Sequence, residues 1–237
     1  MSGNIEILQA RSAYYGWLAA LFGYVKDEKI VENISLSLDI LATNPIEEKS
    51  AKSLENMQDF LKEKGFNALC EENNEVFYSI ATTLIPVTAS YYDEGRDDGK
   101  KRVEMADYFF KSTFRRDTSA SNEPEDHVSL IFGLNSSLLR QAANGCKESE
   151  KLANEIFKEM INPFIDSFEL ALFTHESADF YKNVSVILNA FISFERFLLK
   201  VSKPEAKAVT KETIWQVAKD RKPFVERVKR NLDEIQL

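Results

Sequence analysis

An all-α fold, a single bundle of about ten helices, is predicted by three features of the 237-residue chain. Apolar residues recur at helical spacing in nearly every segment. Gly (8) and Pro (6) are scarce, against the many tight turns of a sheet protein. Strand-type alternation never persists beyond four residues, and no internal repeat is present. Hydrophobic content of 44%, with 17 Phe, supplies a sizeable core.

The elements follow in order. Ile7, Ala10, Tyr14, Trp17, Leu18 and Leu21 form a first apolar stripe ending near Gly23. Ile30, Ile34, Leu38 and Leu41 form a second, stopped by Asn44 and Pro45. Leu54, Met57 and Leu61 mark a third helix ending at Gly65. A fourth carries Phe66, Leu69, Val76, Phe77, Ile80 and Leu84 and stops before Pro86. Residues Thr88 to Arg102, with two glycines inside a charge run, read as a solvated loop. A fifth helix is expected over Val103 to Phe114, then a polar connector from Arg115. The helix after it, with Val128, Leu130, Ile131, Phe132, Leu134, Leu138 and Leu139, is apolar nearly all round and belongs at the bundle centre. Helices then follow over Glu148 to Ile161 and from Asn162-Pro163 onward, with a second central helix through Val184 to Leu199. A last amphipathic helix carries Ile214, Val217, Val225, Val228 and Leu232. The pattern divides into a helical half over 1–114, a connector over 115–123 and a second half over 124–237, all one domain.

Net charge is −8. Lys200 to Leu237 holds 10 Lys/Arg against 6 Asp/Glu, a basic segment of +4 on a body of −12. An acidic body disfavours nucleic acid and anionic membranes and suits basic partners. Cys70 and Cys146 lie far apart with no CxxC, as in a reducing compartment. The N-terminus lacks the pattern of a signal peptide, and Val184 to Val201 is too interrupted by Asn189, Glu195, Arg196 and Lys200 to span a membrane. A cytoplasmic protein without membrane insertion is expected.

The most informative stretch is Glu123-Pro124-Glu125-Asp126-His127, which holds one of two histidines among three carboxylates. Asn122-x-x-Glu125 has capping-box-like spacing, and Pro124 suits a first helical turn. Acidic residues there offset the helix macrodipole. A helix start thus explains every residue but His127; partner binding and proton chemistry stay open. Other motifs carry less. His175-Glu176 has Asp at 179, so no HExxH forms, and no Glu-x-x-His marks a di-iron bundle. Gly95 to Lys101 has the wrong spacing for a phosphate loop. Arg115-Arg116 is an internal arginine pair with no apolar run behind it. No catalytic or metal-ligating set is expected.

The order of several segments resembles the TorD/DmsD family of chaperones for exported molybdoenzymes. Glu-Pro-x-Asp-His before an apolar helix is similar to that family's signature, and Arg11 to Phe22 is similar to its first helix. Glu75-Val-Phe-Tyr78 followed by Pro86-Val-Thr-Ala-Ser90-Tyr91-Tyr92 resembles its aromatic pair and Pro/Ser-aromatic segment. Pro163-Phe164 and Phe180-Tyr181 resemble its C-terminal half. Val87-Thr88-Ala89, where an aromatic residue is common, departs from it, as does the Ser/Asn-rich connector. The resemblance implies a chaperone that binds the twin-arginine signal peptide of a molybdopterin oxidoreductase and holds the apoenzyme until its cofactor is inserted. It points to Glu123, Pro124, Asp126, His127, Phe77, Tyr78, Pro86, Ser90 and Tyr91 as client-binding residues. Carboxylates would take guanidinium groups bidentately, and aromatic residues would line an apolar groove. His127 would then respond to pH near neutrality. Some relatives bind guanine nucleotide weakly; no segment here locates such a site, and no cofactor is expected. The chain would be a monomer or a helix-exchanged dimer. Two other readings are a scaffold or assembly subunit without peptide specificity and an Asp126–His127 acid–base enzyme. Neighbours in sequence point about 100° apart on a helix, which speaks against the latter.

Overall fold

In the computed structural model, which describes residues 2–116 and 122–205, residues at helical spacing become helices wherever caps and breakers permit. Nine helices form among the described residues: α1 (Ser2–Phe22), α2 (Glu28–Ala42), α3 (Glu48–Phe77), α4 (Ala89–Glu94), α5 (Lys100–Lys111), α6 (Val128–Ala143), α7 (Lys147–Ile156), α8 (Ile165–Thr174) and α9 (Phe180–Leu199). A π-helical turn, Phe157–Ile161, extends α7. No strand forms among the described residues; an isolated bridge pairs Thr88 with His127. The all-α reading is therefore right. The amphipathic helix expected after Pro204 lies outside the described residues. None of the described helices is long and apolar enough to cross a membrane.

The core sits where α6 and α9 meet α1, α3 and α8. Small residues let α1 and α6 approach closely. A Cβ on Gly16 would come within 2.9 Å of Ser136 Oγ. Ser12 Oγ donates to the Ser136 carbonyl, and Ser136 Oγ to that of Ser12, both at 2.8 Å. Polar side chains inside the core are engaged with helix ends and each other. The Glu72 carboxylate accepts from the backbone N–H groups of Asp179, Phe180 and Tyr181 and so closes the N-terminus of α9. Asn73 donates to the carbonyls of Leu21 and Gly23, while Tyr181 donates to Leu21 at 2.7 Å. These bonds tie the end of α1 to α3 and α9.

Two boundaries differ from the sequence expectation. The expected break at Gly65 is present: α3 consists of two helical segments that meet there at a kink, because its φ of 74° and ψ of −171° are non-helical and suit glycine alone. Gly65→Ala has room for its methyl, since nothing lies within 4 Å. It is nonetheless expected to lower stability by about 1–3 kcal/mol through backbone strain, read as a shift in the urea midpoint. The second segment ends at Phe77 rather than Leu84. Ser79 Oγ accepts from Ala81 N–H, and the Thr82 hydroxyl donates to the carbonyls of Ser79 and Glu75, so hydroxyls displace the helical bonds. Ile80 is left 97% exposed as a result. The supposed loop of Thr88 to Arg102 contains α4, which Gly95 closes in a left-handed conformation (φ 70°).

Candidate functional site

Two chain segments far apart in sequence build the site. The stretch after α3 returns antiparallel beside the turn that precedes α6. Val128 N–H donates to the Val87 carbonyl at 2.8 Å and Ala89 N–H to that of Asp126 at 3.0 Å. Asp126 then uses one carboxylate oxygen, Oδ2, to accept from Ser90 N–H at 2.8 Å, in the first turn of α4. Ser90 Oγ in turn accepts from Arg102 N–H at 3.2 Å, which fixes α5 against α4. Asp126, His127 and Ser90 are all fully buried. Asp126 Oδ1 has no hydrogen-bond partner among the described residues.

The helix does not start where the spacing suggested. His127, not Asn122 or Glu123, is the N-cap of α6, and Pro124 to Asp126 form a turn ahead of it. The bridge to Thr88 accounts for this, because it holds His127 in an extended conformation (ψ 134°) that a helix interior excludes. His127 Nδ1 accepts from Ser129 N–H at 3.2 Å, with Ser129 Oγ at 2.7 Å. An accepting Nδ1 places the proton of the neutral ring on Nε2. That atom faces Glu123 Oε2 at 3.5 Å, too far for a hydrogen bond, and makes none among the described residues. Burial pushes the His127 pKa down to about 4, so the ring is neutral at physiological pH instead of titrating near it.

The carboxylates divide into two classes. Glu125 is engaged: Arg102 Nε donates to Oε2 at 2.6 Å, and Arg116 Nη1 to Oε1 at 2.7 Å. Burial alone would raise its pKa; the hydrogen bond from Arg102 and the charges of both arginines bring it below the usual carboxylate value. Glu123 is half-buried, and burial raises its pKa despite the nearby charge of Arg116. Tyr78 is half-buried in the same neighbourhood; burial and then the Glu123 charge raise its pKa.

The remaining predicted residues are spread more widely. Phe77 is a core residue, its ring against Phe22, Phe168 and Tyr181. Pro86 is half-buried, and its carbonyl accepts from Tyr92 Oη. Tyr91 is 43% exposed and packs on Tyr92. Sequence reasoning missed Tyr24, whose ring lies 4.9 Å from that of Tyr78 while half of the residue remains exposed. It also missed Ser129, Arg102 and Arg116 as partners of the cluster. Only Ser129, two residues beyond His127, carried a local signal.

A family model described as nitrate reductase delta subunit matches residues 43–169, more than half of the chain, including the segments that carry Tyr78, Ser90, Arg102 and Glu123 to Ser129 but not Tyr24. The chain belongs to the nitrate reductase delta subunit family. That family comprises maturation chaperones of the TorD/NarJ type, in keeping with the resemblance read from the sequence. No curated protein matches the chain. A crystal structure of a protein from Archaeoglobus fulgidus, described as a redox enzyme maturation protein, superposes with a TM-score of 0.51. Identity is 20%, over 77% of this chain and 92% of that one, so the likeness concerns the fold. In this member of the nitrate reductase delta subunit family, the signature does two things. Asp126 and His127 join the two chain segments from inside, and Glu123 and Glu125 stand on their outer side around arginine side chains.

Proposed function

We propose that the chain is a cytoplasmic chaperone that binds the twin-arginine signal peptide of a molybdopterin oxidoreductase. Binding holds the apoenzyme until its cofactor is inserted, before export. Redox-enzyme maturation is the family's work, and its name makes a nitrate reductase the first client to test. The observation that carries the peptide reading is a carboxylate pair, Glu123 and Glu125, already arranged around a guanidinium. Beside it lies the half-exposed aromatic pair Tyr24 and Tyr78. Carboxylates select arginine over lysine by bidentate hydrogen bonding, and the rings offer apolar area for the segment after the arginines. In the same turn, Asp126 Oδ1 and His127 Nε2 are buried with unused hydrogen-bonding capacity, Nε2 lying 3.5 Å from Glu123 Oε2. A seated guanidinium and a peptide carbonyl, respectively, would satisfy them. The protein's net charge of −8 favours approach of a basic peptide.

Isothermal calorimetry with signal peptides from molybdoenzymes tests the proposal. A twin-arginine peptide is expected to bind one-to-one, and its Lys-Lys variant at least about tenfold more weakly, because the bidentate bonds are lost. Absence of heat and of complex across several candidate leaders would overturn it.

A further inference from the structure

The carboxylate assigned to the client is not empty. Arg116 lies in the connector after α5, yet its side chain is only 15% exposed. It donates to Glu125 Oε1 at 2.7 Å and acts electrostatically on Glu123. The neighbouring Arg115 is used differently, with Nη1 donating to the carbonyls of Phe109, Ser112 and Phe114 at the C-terminal end of α5. Arg102 on the other side of Glu125 is built into the fold, since it sits in the first turn of α5 and is also paired with Asp98. Of the two guanidinium groups on Glu125, Arg116 is therefore the one that no helix holds.

We propose that Arg116 is an internal stand-in for a client arginine, exchanged for it when the signal peptide binds. The inference rests on the reading that this cluster receives client arginines, and adds how the site is kept when empty. A partly buried carboxylate pair without a counter-charge is costly, and Arg116 supplies that charge in the free chaperone. The same contact sets a threshold for binding. A tethered group competes at an effective concentration on the order of millimolar. A lone arginine in solution, or an arbitrary basic peptide, does not displace it. A client does so only by adding its second arginine and an apolar segment. Arg116 thereby filters clients, at the cost of some affinity for the correct one.

Arg116→Ala removes the competitor. It is expected to tighten binding of a twin-arginine peptide about tenfold, the factor by which a mostly occupied site lowers apparent affinity. Arg116→Lys, which keeps the charge but loses the fork, is expected to tighten it less. Equal or weaker binding by both variants, with far-UV helicity intact, would overturn the exchange. If Arg116→Ala loses helicity, Arg116→Lys alone decides, on the same criterion. A second arm separates this from the peptide reading. Arginine amide at millimolar concentration is expected to raise the melting temperature of Arg116→Ala and not that of the wild type. Failure of that shift would overturn the stand-in role. Failure of every protein to bind the peptide, with the shift present, would overturn the signal-peptide reading and leave the guanidinium site standing.

Discussion

Arg11→Met is expected to destabilise the protein by about 3–5 kcal/mol, because it strands a buried carboxylate. Arg11 on α1 and Glu195 on α9 are 2% and 0% exposed. Arg11 Nε donates to Oε1 at 2.6 Å and Nη2 to Oε2 at 2.9 Å, with Asn154 Oδ1 of α7 accepting from Nη2 at 3.0 Å. Tyr15 Oη donates to the same carboxylate at 2.8 Å. Burial, followed by the Glu195 charge, raises the Tyr15 pKa well above normal, so this phenol remains a donor throughout the working pH range. Without Arg11, one neutral donor from Tyr15 is left for a carboxylate that water does not reach.

Urea unfolding of the variant at neutral pH measures the effect as a lower midpoint at unchanged slope. The double replacement Arg11→Met with Glu195→Leu is expected to recover most of the loss, because neither charge then has to be desolvated. A single-variant cost below about 1 kcal/mol would mean that the pair is no more than a surface-type salt bridge. The network joins α1, α7 and α9 in the core and includes none of the carboxylates at the proposed client site. Peptide affinity is therefore expected to survive in Arg11→Met at temperatures where it stays folded.

The contrast between this network and the site shows which parts of the structure were legible in the sequence. Helices α1 and α2 end within a few residues of the expected positions, because Gly23 and Asn44 are local stop signals at the end of periodic stripes. The family signature was also legible as a string. What it does was not. Pro124 and Glu125 satisfy every local rule for a helix start. The long-range bridge to Thr88 nevertheless draws the backbone of His127 into an extended form and moves the start to Val128. Glu125 finds its partners in Arg102, 23 residues earlier, and Arg116, which no window of helical spacing links to it. Ile80 and Leu84 continue an apolar period that the hydroxyls of Ser79 and Thr82 interrupt, a contest that periodicity alone does not settle. Tyr24 follows a helix-ending glycine, where no pattern marks it, and reaches Tyr78 only through the fold.

Burial of His127 leads to the second large effect, a loss of stability in mild acid. The folded protein holds this ring neutral with a pKa of about 4, whereas the unfolded chain takes up its proton near 6.5. The unfolded state therefore binds more protons between these values, and stability falls as the pH falls. The contribution is complete above about pH 6.5 and is lost progressively towards pH 4, by up to about 3 kcal/mol. Glu72 and Glu123 act in the opposite sense. Burial raises their pKa values, so they take up protons more readily folded than unfolded, and acid relieves their desolvation. The informative quantity is thus the difference between wild type and His127→Asn. Asparagine keeps an acceptor for the N-cap and does not titrate. Its stability difference between pH 7 and pH 4 is expected to be smaller than that of the wild type by about 2–3 kcal/mol. Parallel curves would show that the imidazole is not shielded. The same burial keeps the ring neutral from pH 6 to 8, so peptide affinity is expected to show no step attributable to His127 there. A step centred near pH 6.5 that disappears in His127→Asn would mean the imidazole meets water in the working chaperone, and that the site opens around it before the client enters.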